Sequence, residues 1–283
     1  PGGEYGWHTS YGGSKTGVEL EPAIMTTDLA SCSKGYVSAS GGAKNNSFND
    51  YDNPHAENSS CNYVSTFNGT SSAAPNVSGV IALMLEANPS LTWRDVKHIL
   101  ATTSTKVDAS FSPVSLNGIT YYNWVSNAAG NNFHPYYGFG GVDATAAVNA
   151  AVSYTAGSLG SQLYKTWTGS GALNATVNEG TDESFTINIA TSGTVEFVRV
   201  AINMSHDLPA EMGLRLVSPS GTPTMILQPY TALNTNPNGY IYLAASAFYG
   251  ESMDGNWTLK LFDHKTNSTQ MVLGDWSIAF YHR

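Results

Sequence analysis

The apolar positions change period once along the chain. Between residues 70 and 100 they recur at helical spacing. Ala73, Ala74, Val77, Val80, Ile81 and Met84 share one face. Thr70 is placed to cap the first turn, and Pro75 to lie within that opening turn, where a missing N–H costs little. This helix should end near Ala87-Asn88-Pro89. A second follows, with Thr92 and Asp95 spaced as a capping box and Val96, Ile99 and Leu100 facing inward. Trp93 and Arg94 read as packing and a surface contact, and His98, without an acidic neighbour in sequence, as structural. An Ala-rich helix is expected over residues 145–151.

From about residue 161 the period becomes two. Runs such as residues 184–189 and 195–202 are expected strands with one buried face, separated by turns at Ser192-Gly193, Pro219-Ser220-Gly221 and Asp254-Gly255. This is an all-β sandwich pattern. The Ser/Thr/Gly stretch at 154–160 is the expected linker. Upstream, residues 6–22 read as Gly-rich loop, 23–29 as a short strand, and 30–62 as a polar surface insertion.

Composition narrows the class. The chain has 283 residues, net charge −9 and only 12% charged residues. No basic run exists, so nucleic acid is an unsuitable partner. No apolar stretch is long enough for a membrane-spanning helix. Two cysteines, Cys32 and Cys61, flank the polar insertion: a disulfide in an oxidising compartment, or two buried thiols. Within that insertion Asp50 and Asp52 are candidate calcium ligands, although the spacing is not that of an EF-hand and a solvated acidic loop competes. Asp207, Glu251, Asp254 and Asp263 are further acidic positions, with turn and surface roles as the alternative. Asn-x-Ser/Thr sequons at Asn45, Asn58, Asn68, Asn76, Asn174, Asn203, Asn256 and Asn267 place two potential glycans beside residue 71, which favours a bacterial secreted origin.

The candidate chemistry sits at Gly69-Thr70-Ser71. Ser71 is placed at a helix N-terminus, where unsatisfied N–H groups and the helix dipole stabilise the oxyanion of acyl transfer. Gly-Thr-Ser alone fits any serine-capped helix. The longer string Gly-Thr-Ser-Ser-Ala-Ala-Pro-Asn-Val-Ser-Gly (69–79) resembles the nucleophile segment of subtilisin-like serine proteases. Residues 85–99 resemble the kexin and proprotein-convertase branch, as does Ile24-Met25-Thr26-Thr27-Asp28-Leu29, and the Tyr-Gly-x-Gly-x-x-Asp-Ala stretch at 137–144 resembles the segment that closes the protease domain in subtilases. Leu216-Val217-Ser218-Pro219-Ser220-Gly221, Gly255-Asn256-Trp257 and Gly274-Asp275-Trp276 resemble the P domain (homo B) that follows the catalytic domain in that branch.

The resemblance implies an α/β subtilisin-like catalytic domain, represented over 1–155 by its C-terminal part, then a β jelly-roll P domain over 161–283. It implies a secreted or periplasmic serine endopeptidase with Ser71 as nucleophile, supported by Gly69 and Thr70, cutting polypeptides after basic residues and holding structural calcium. The family's His lies in a His-Gly-Thr stretch, and none of the seven histidines is followed by Gly-Thr. Base, orienting Asp and oxyanion Asn are therefore expected from an upstream half, and this chain alone is expected to be inactive. Trp257 and Trp276 read as core residues, with carbohydrate stacking as the alternative. The competing class is an inert fragment whose jelly roll binds protein or carbohydrate.

Overall fold

The computed structural model describes residues 24–41, 46–67, 69–116, 118–160, 163–230, 239–267 and 270–283. The loop expected at 6–22 lies outside them, as do Asn45 and Asn68. By contacts the chain divides into two compact units, Pro1–Glu86 and Ala87–Arg283.

In the first unit, β1 (Ile24–Thr27) pairs antiparallel with β2 (Tyr63–Phe67). The strand is shorter than expected because Asp28 turns its carboxylate onto the backbone N–H groups of Leu29, Tyr36 and Val37. The polar insertion is not a plain loop. It holds 3-10 turns at Ser47–Asn49 and Ala56–Asn58, organised by asparagine side chains. Asn58 Nδ2 donates to the carbonyls of Phe48 and Tyr63, and buried Asn49 accepts the Ser65 N–H. Amide side chains supply donor and acceptor together, so they order a segment that has no apolar period. Cys32 and Cys61 are joined as a disulfide, beside a small core of Val37, Cys61 and Val64.

Helix α1 runs over Thr70–Ala87, ending where expected. Two details differ from the reading above. Thr70 is the first helical residue rather than the cap, because Gly69 at φ +81° makes the turn into the helix and its carbonyl receives the Ser72 N–H. Pro75, sixth in the helix, lies in the second turn. The anticipated apolar face is not a buried face either: Ser72 and Met84 are the buried side chains, whereas Ala74 is exposed and Val77, Val80 and Ile81 are half-buried.

The second unit opens with α2 (Trp93–Thr103), which begins with the expected capping box between Thr92 and Asp95. Val96 and Ile99 are buried, Leu100 is half-buried, and Trp93 is 66% exposed. Short antiparallel ladders follow: β3 (Val114–Leu116) with β4 (Ile119–Tyr122), and β5 (Val125–Ser126) with β6 (Asn132–Phe133). Helix α3 (Ala144–Ser153) is capped by Asp143, and Asn88 Nδ2 donates to the carbonyls of Ala151 and Tyr154 near its C-terminus.

Nine strands complete the unit: β7 (Tyr164–Gly169), β8 (Ala175–Val177), β9 (Asp182–Ile189), β10 (Val195–His206), β11 (Met212–Val217), β12 (Pro223–Leu227), β13 (Gly239–Ala245), β14 (Gly255–Asp263) and β15 (Met271–His282). They form two antiparallel sheets, β13-β10-β15-β7 with β8 beside β15, and β12-β11-β14-β9. Alternation along β10 buries Val198, Val200, Ile202 and Met204, which join Leu214, Leu216, Leu259 and Leu261 of the other sheet in one core. Trp257 and Trp276 lie inside it, at 0% and 1% exposure, with Trp257 edge-on to Phe248. They are core residues, as expected, and rings so buried cannot stack on a sugar.

Candidate functional site: a serine at a helix N-terminus

Ser71 is the second residue of α1 and is solvent-exposed. Its amide lies in the first turn, ahead of the helix's own i→i−4 ladder, so it is one of the N–H groups that a helix leaves without an internal partner. Gly69 and Thr70, also exposed, precede it. Ser72 turns inward and donates its Oγ hydrogen to the Gly69 carbonyl at 2.7 Å, which ties the entry turn to the helix. The helix dipole places partial positive charge where an oxyanion on an acyl group attached to Ser71 would form. An alcohol nucleophile needs a base within hydrogen-bond reach. Among the described residues no histidine hydrogen-bonds Ser71.

Three of the described histidines are engaged elsewhere. His98 shares a 3.0 Å hydrogen bond between Nδ1 and the Tyr249 hydroxyl. Burial, then the Arg283 charge, holds its imidazole below the ordinary value against Asp95 and Glu196. This agrees with the structural reading of His98. His134 is fully buried among Phe111, Trp124 and Tyr137, its Nδ1 accepting the Tyr136 N–H. His206 Nδ1 accepts the Leu208 N–H, leaving Nε2 to donate to Asp263 at 3.1 Å.

The candidate calcium ligands do not assemble. Asp50 Oδ1 accepts the N–H groups of Asp52 and Asn53, the geometry of an Asx turn. Asp263 is taken by His206, while buried Glu251 accepts the Ala128 N–H and the Thr222 hydroxyl. Asp207 and Asp254 are exposed. Among the described residues no three His, Cys, Asp or Glu side chains come together as a cation site. These residues therefore do not fit a calcium ion, and no chemistry is assigned through one.

One cluster was not anticipated. Arg94, expected as a surface contact, is 6% exposed and pairs with Glu196 through both Nε and Nη2. Its Nη1 donates to the Gly160 carbonyl, and Lys97 Nζ to the Glu196 carbonyl. The partners lie 102 positions apart, and nothing in the local pattern couples them.

Comparison with known proteins gives the family. The subtilase family profile matches residues 14–140, and the proprotein convertase P-domain profile matches residues 195–280. The extracellular serine protease of Aeromonas sobria is 33% identical over 96% of this chain and 45% of its own length. Human proprotein convertase subtilisin/kexin type 7 is 30% identical over 75% of this chain and 27% of its own. A crystal structure of the Aeromonas sobria serine protease superposes with a TM-score of 0.79 at 28% identity, covering 93% of this chain and 51% of that one. The chain thus spans about half the length of the bacterial relative or less, and Ser71 lies within the segment matched by the subtilase profile. It combines a segment matched by the subtilase family with one matched by the proprotein convertase P-domain.

Proposed function

We propose that this chain is part of a secreted, bacterial, kexin-like serine endopeptidase, in which Ser71 attacks the scissile carbonyl to form an acyl-enzyme. The observation that carries the reading is Ser71 exposed in the first turn of α1, inside the segment matched by the subtilase family. The chemistry is a proton transfer from Oγ to a histidine held by an aspartate, with the oxyanion received by helix N–H groups and an asparagine side chain. That histidine, aspartate and asparagine are proposed to come from sequence upstream of this chain, which alone is then inactive. Structural calcium and preference for basic residues rest on the family, with most of their ligands and pocket carboxylates placed upstream too.

The functional domains are proposed as 1–155, the C-terminal part of the catalytic domain, and 161–283, a jelly-roll P domain. Secretion is supported by the extracellular relative and by the disulfide. A fluorophosphonate probe with adduct mapping by mass spectrometry tests the proposal. An adduct on Ser71 in preparations containing the upstream half, and none on the 283-residue chain alone, is the expected pair of results. A folded, upstream-containing preparation that leaves Ser71 unmodified would overturn it.

A further inference from the structure

The outer face of the sheet β13-β10-β15-β7 carries exposed aromatic rings: Trp167 at 65%, Tyr242 at 66% and Tyr240 at 50%. Trp167 is on β7 and the tyrosines are on β13, at opposite edges of the sheet. A single cross-strand row joins those edges: Gly169 pairs with Ser277, Ser277 with Ala201, and Ala201 with Tyr242. The indole reaches into this row, because a Cβ at Gly169 would meet Trp167 Cη2 at 3.4 Å and Ser277 Cβ at 3.8 Å. It lies along the sheet, resting on Gly169, with its outward side open. Tyr242 closes the other end, with the Arg199 guanidinium 5.9 Å from its ring centroid. Three strand steps of about 4.8 Å separate the two edges, a span of about 14 Å.

Polar groups run beside the rings. The Tyr240 hydroxyl donates to Asp275 Oδ1 at 2.6 Å, and Asn203 Nδ2 donates to Asp275 Oδ2 at 3.0 Å. The Asp275 oxygens keep lone pairs for further donors, and exposed Arg199 offers N–H groups. These two charges balance, on a chain whose net charge is −9. The protease-like segment packs on the other sheet, where Tyr121 meets Phe262 edge-on within a cluster that includes Met225. It meets this sheet at the Glu196–Phe197 end of β10, short of the row. Single exposed apolar residues are ordinary, but an aligned row of open rings marks a binding surface.

We propose that this face binds an uncharged, extended β-linked hexose polymer of the cellulose or chitin kind. A pyranose shows C–H groups on its faces and hydroxyls at its edges. The faces stack on Trp167 and Tyr242, and the edge hydroxyls meet Arg199, Asp275 and Tyr240. Balanced charge on the patch suits a neutral ligand over a charged peptide. An extended chain of about three hexoses spans the row, which a coiled α-linked glucan does not follow. The rings are not the buried Trp257 and Trp276, and binding here does not depend on the chemistry proposed for Ser71.

The test is a calorimetric titration of the 283-residue chain with cellohexaose, N-acetylated chitohexaose and α-linked maltohexaose. At least one β-linked hexamer is expected to bind saturably, and the stronger of the two names the preferred polymer. Maltohexaose should bind at least about ten-fold more weakly. Trp167→Ala should weaken binding at least about ten-fold, and Tyr242→Ala about three-fold or more. Trp93→Ala, which removes an equally exposed tryptophan from α2, should leave binding unchanged. The site is overturned if neither β-linked hexamer saturates, if maltohexaose matches them, or if Trp93→Ala loses as much as Trp167→Ala. Native affinity in Trp167→Ala and Tyr242→Ala, each shown folded by circular dichroism, also overturns it. Should Trp167→Ala not fold, native affinity in Tyr242→Ala suffices. The titration is repeated on a preparation containing the upstream half: retained binding supports the site, and lost binding would assign the face to that half instead.

Discussion

Arg94 of α2 and Glu196 of β10 form a two-pronged ion pair with both side chains more than nine-tenths buried, so that a helix of the protease-like segment is joined to the β sandwich through charge. Glu196 is also approached by Arg283 Nη1 at 3.6 Å. Removing one partner of a buried pair leaves an uncompensated charge, typically costing about 3–5 kcal/mol. Arg94→Met should therefore lower stability by about 3 kcal/mol, toward the low end because Arg283 remains. Arg94→Met with Glu196→Leu should cost less than Arg94→Met alone. Urea unfolding of the chain measures both, and a double variant weaker than the single would contradict this account.

His98 makes stability depend on pH. Its folded-state value lies below the ordinary one of about 6.5, so below that pH the unfolded chain binds more protons than the folded chain. The folded state then loses stability as pH falls beneath about 6.5, until the folded value is passed. Melting curves between pH 8 and pH 5 should show this fall, and His98→Gln should flatten it. An unchanged slope in that variant would place the titration elsewhere.

The Cys32–Cys61 bridge closes a loop of 29 positions. The chain-entropy relation gives about 3–4 kcal/mol for a loop of that size. A Cys32→Ser, Cys61→Ser variant is expected to expose the insertion to proteolysis at protease levels that leave the oxidised protein intact. Equal resistance would show that the asparagine network suffices without the bridge.

Gly35 sits at φ +73°, and a Cβ there would run into the Asp28 carboxylate that anchors the same turn. Burial raises the Asp28 carboxyl, but hydrogen bonds from Val37, Tyr36 and Leu29 outweigh it and hold it below the usual carboxylate value. The anchor is thus present above about pH 4 and is lost as pH falls through the folded value. Gly35→Ala should destabilise by about 1 kcal/mol or more. Asp28→Asn should mimic the acid form at neutral pH. Hydrogen exchange at Tyr36 and Val37 reads both, and full protection in either variant would refute the anchor.

Ser71→Ala, in a preparation containing the upstream half, should lower the rate of peptide cleavage by about six orders of magnitude, the loss measured for the serine of subtilisin. Its thermal stability should be unchanged within about 0.5 kcal/mol, as for exposed positions generally. Retained cleavage would remove Ser71 as nucleophile.

The amino-acid sequence alone determined whatever depends on short-range spacing. The capping box at Thr92 and Asp95, the end of α1 before Pro89, the strand alternation after residue 161 and the Gly69-Thr70-Ser71 turn all lie within a few residues of their causes. Tertiary structure decided what depends on partners distant in the chain. It buried Arg94 against Glu196, ordered the polar insertion through Asn49 and Asn58, and closed the disulfide. It also decided how little of α1 is buried. Periodicity marks which face of a helix is apolar, but burial requires a second surface, and only the folded chain says whether one is there.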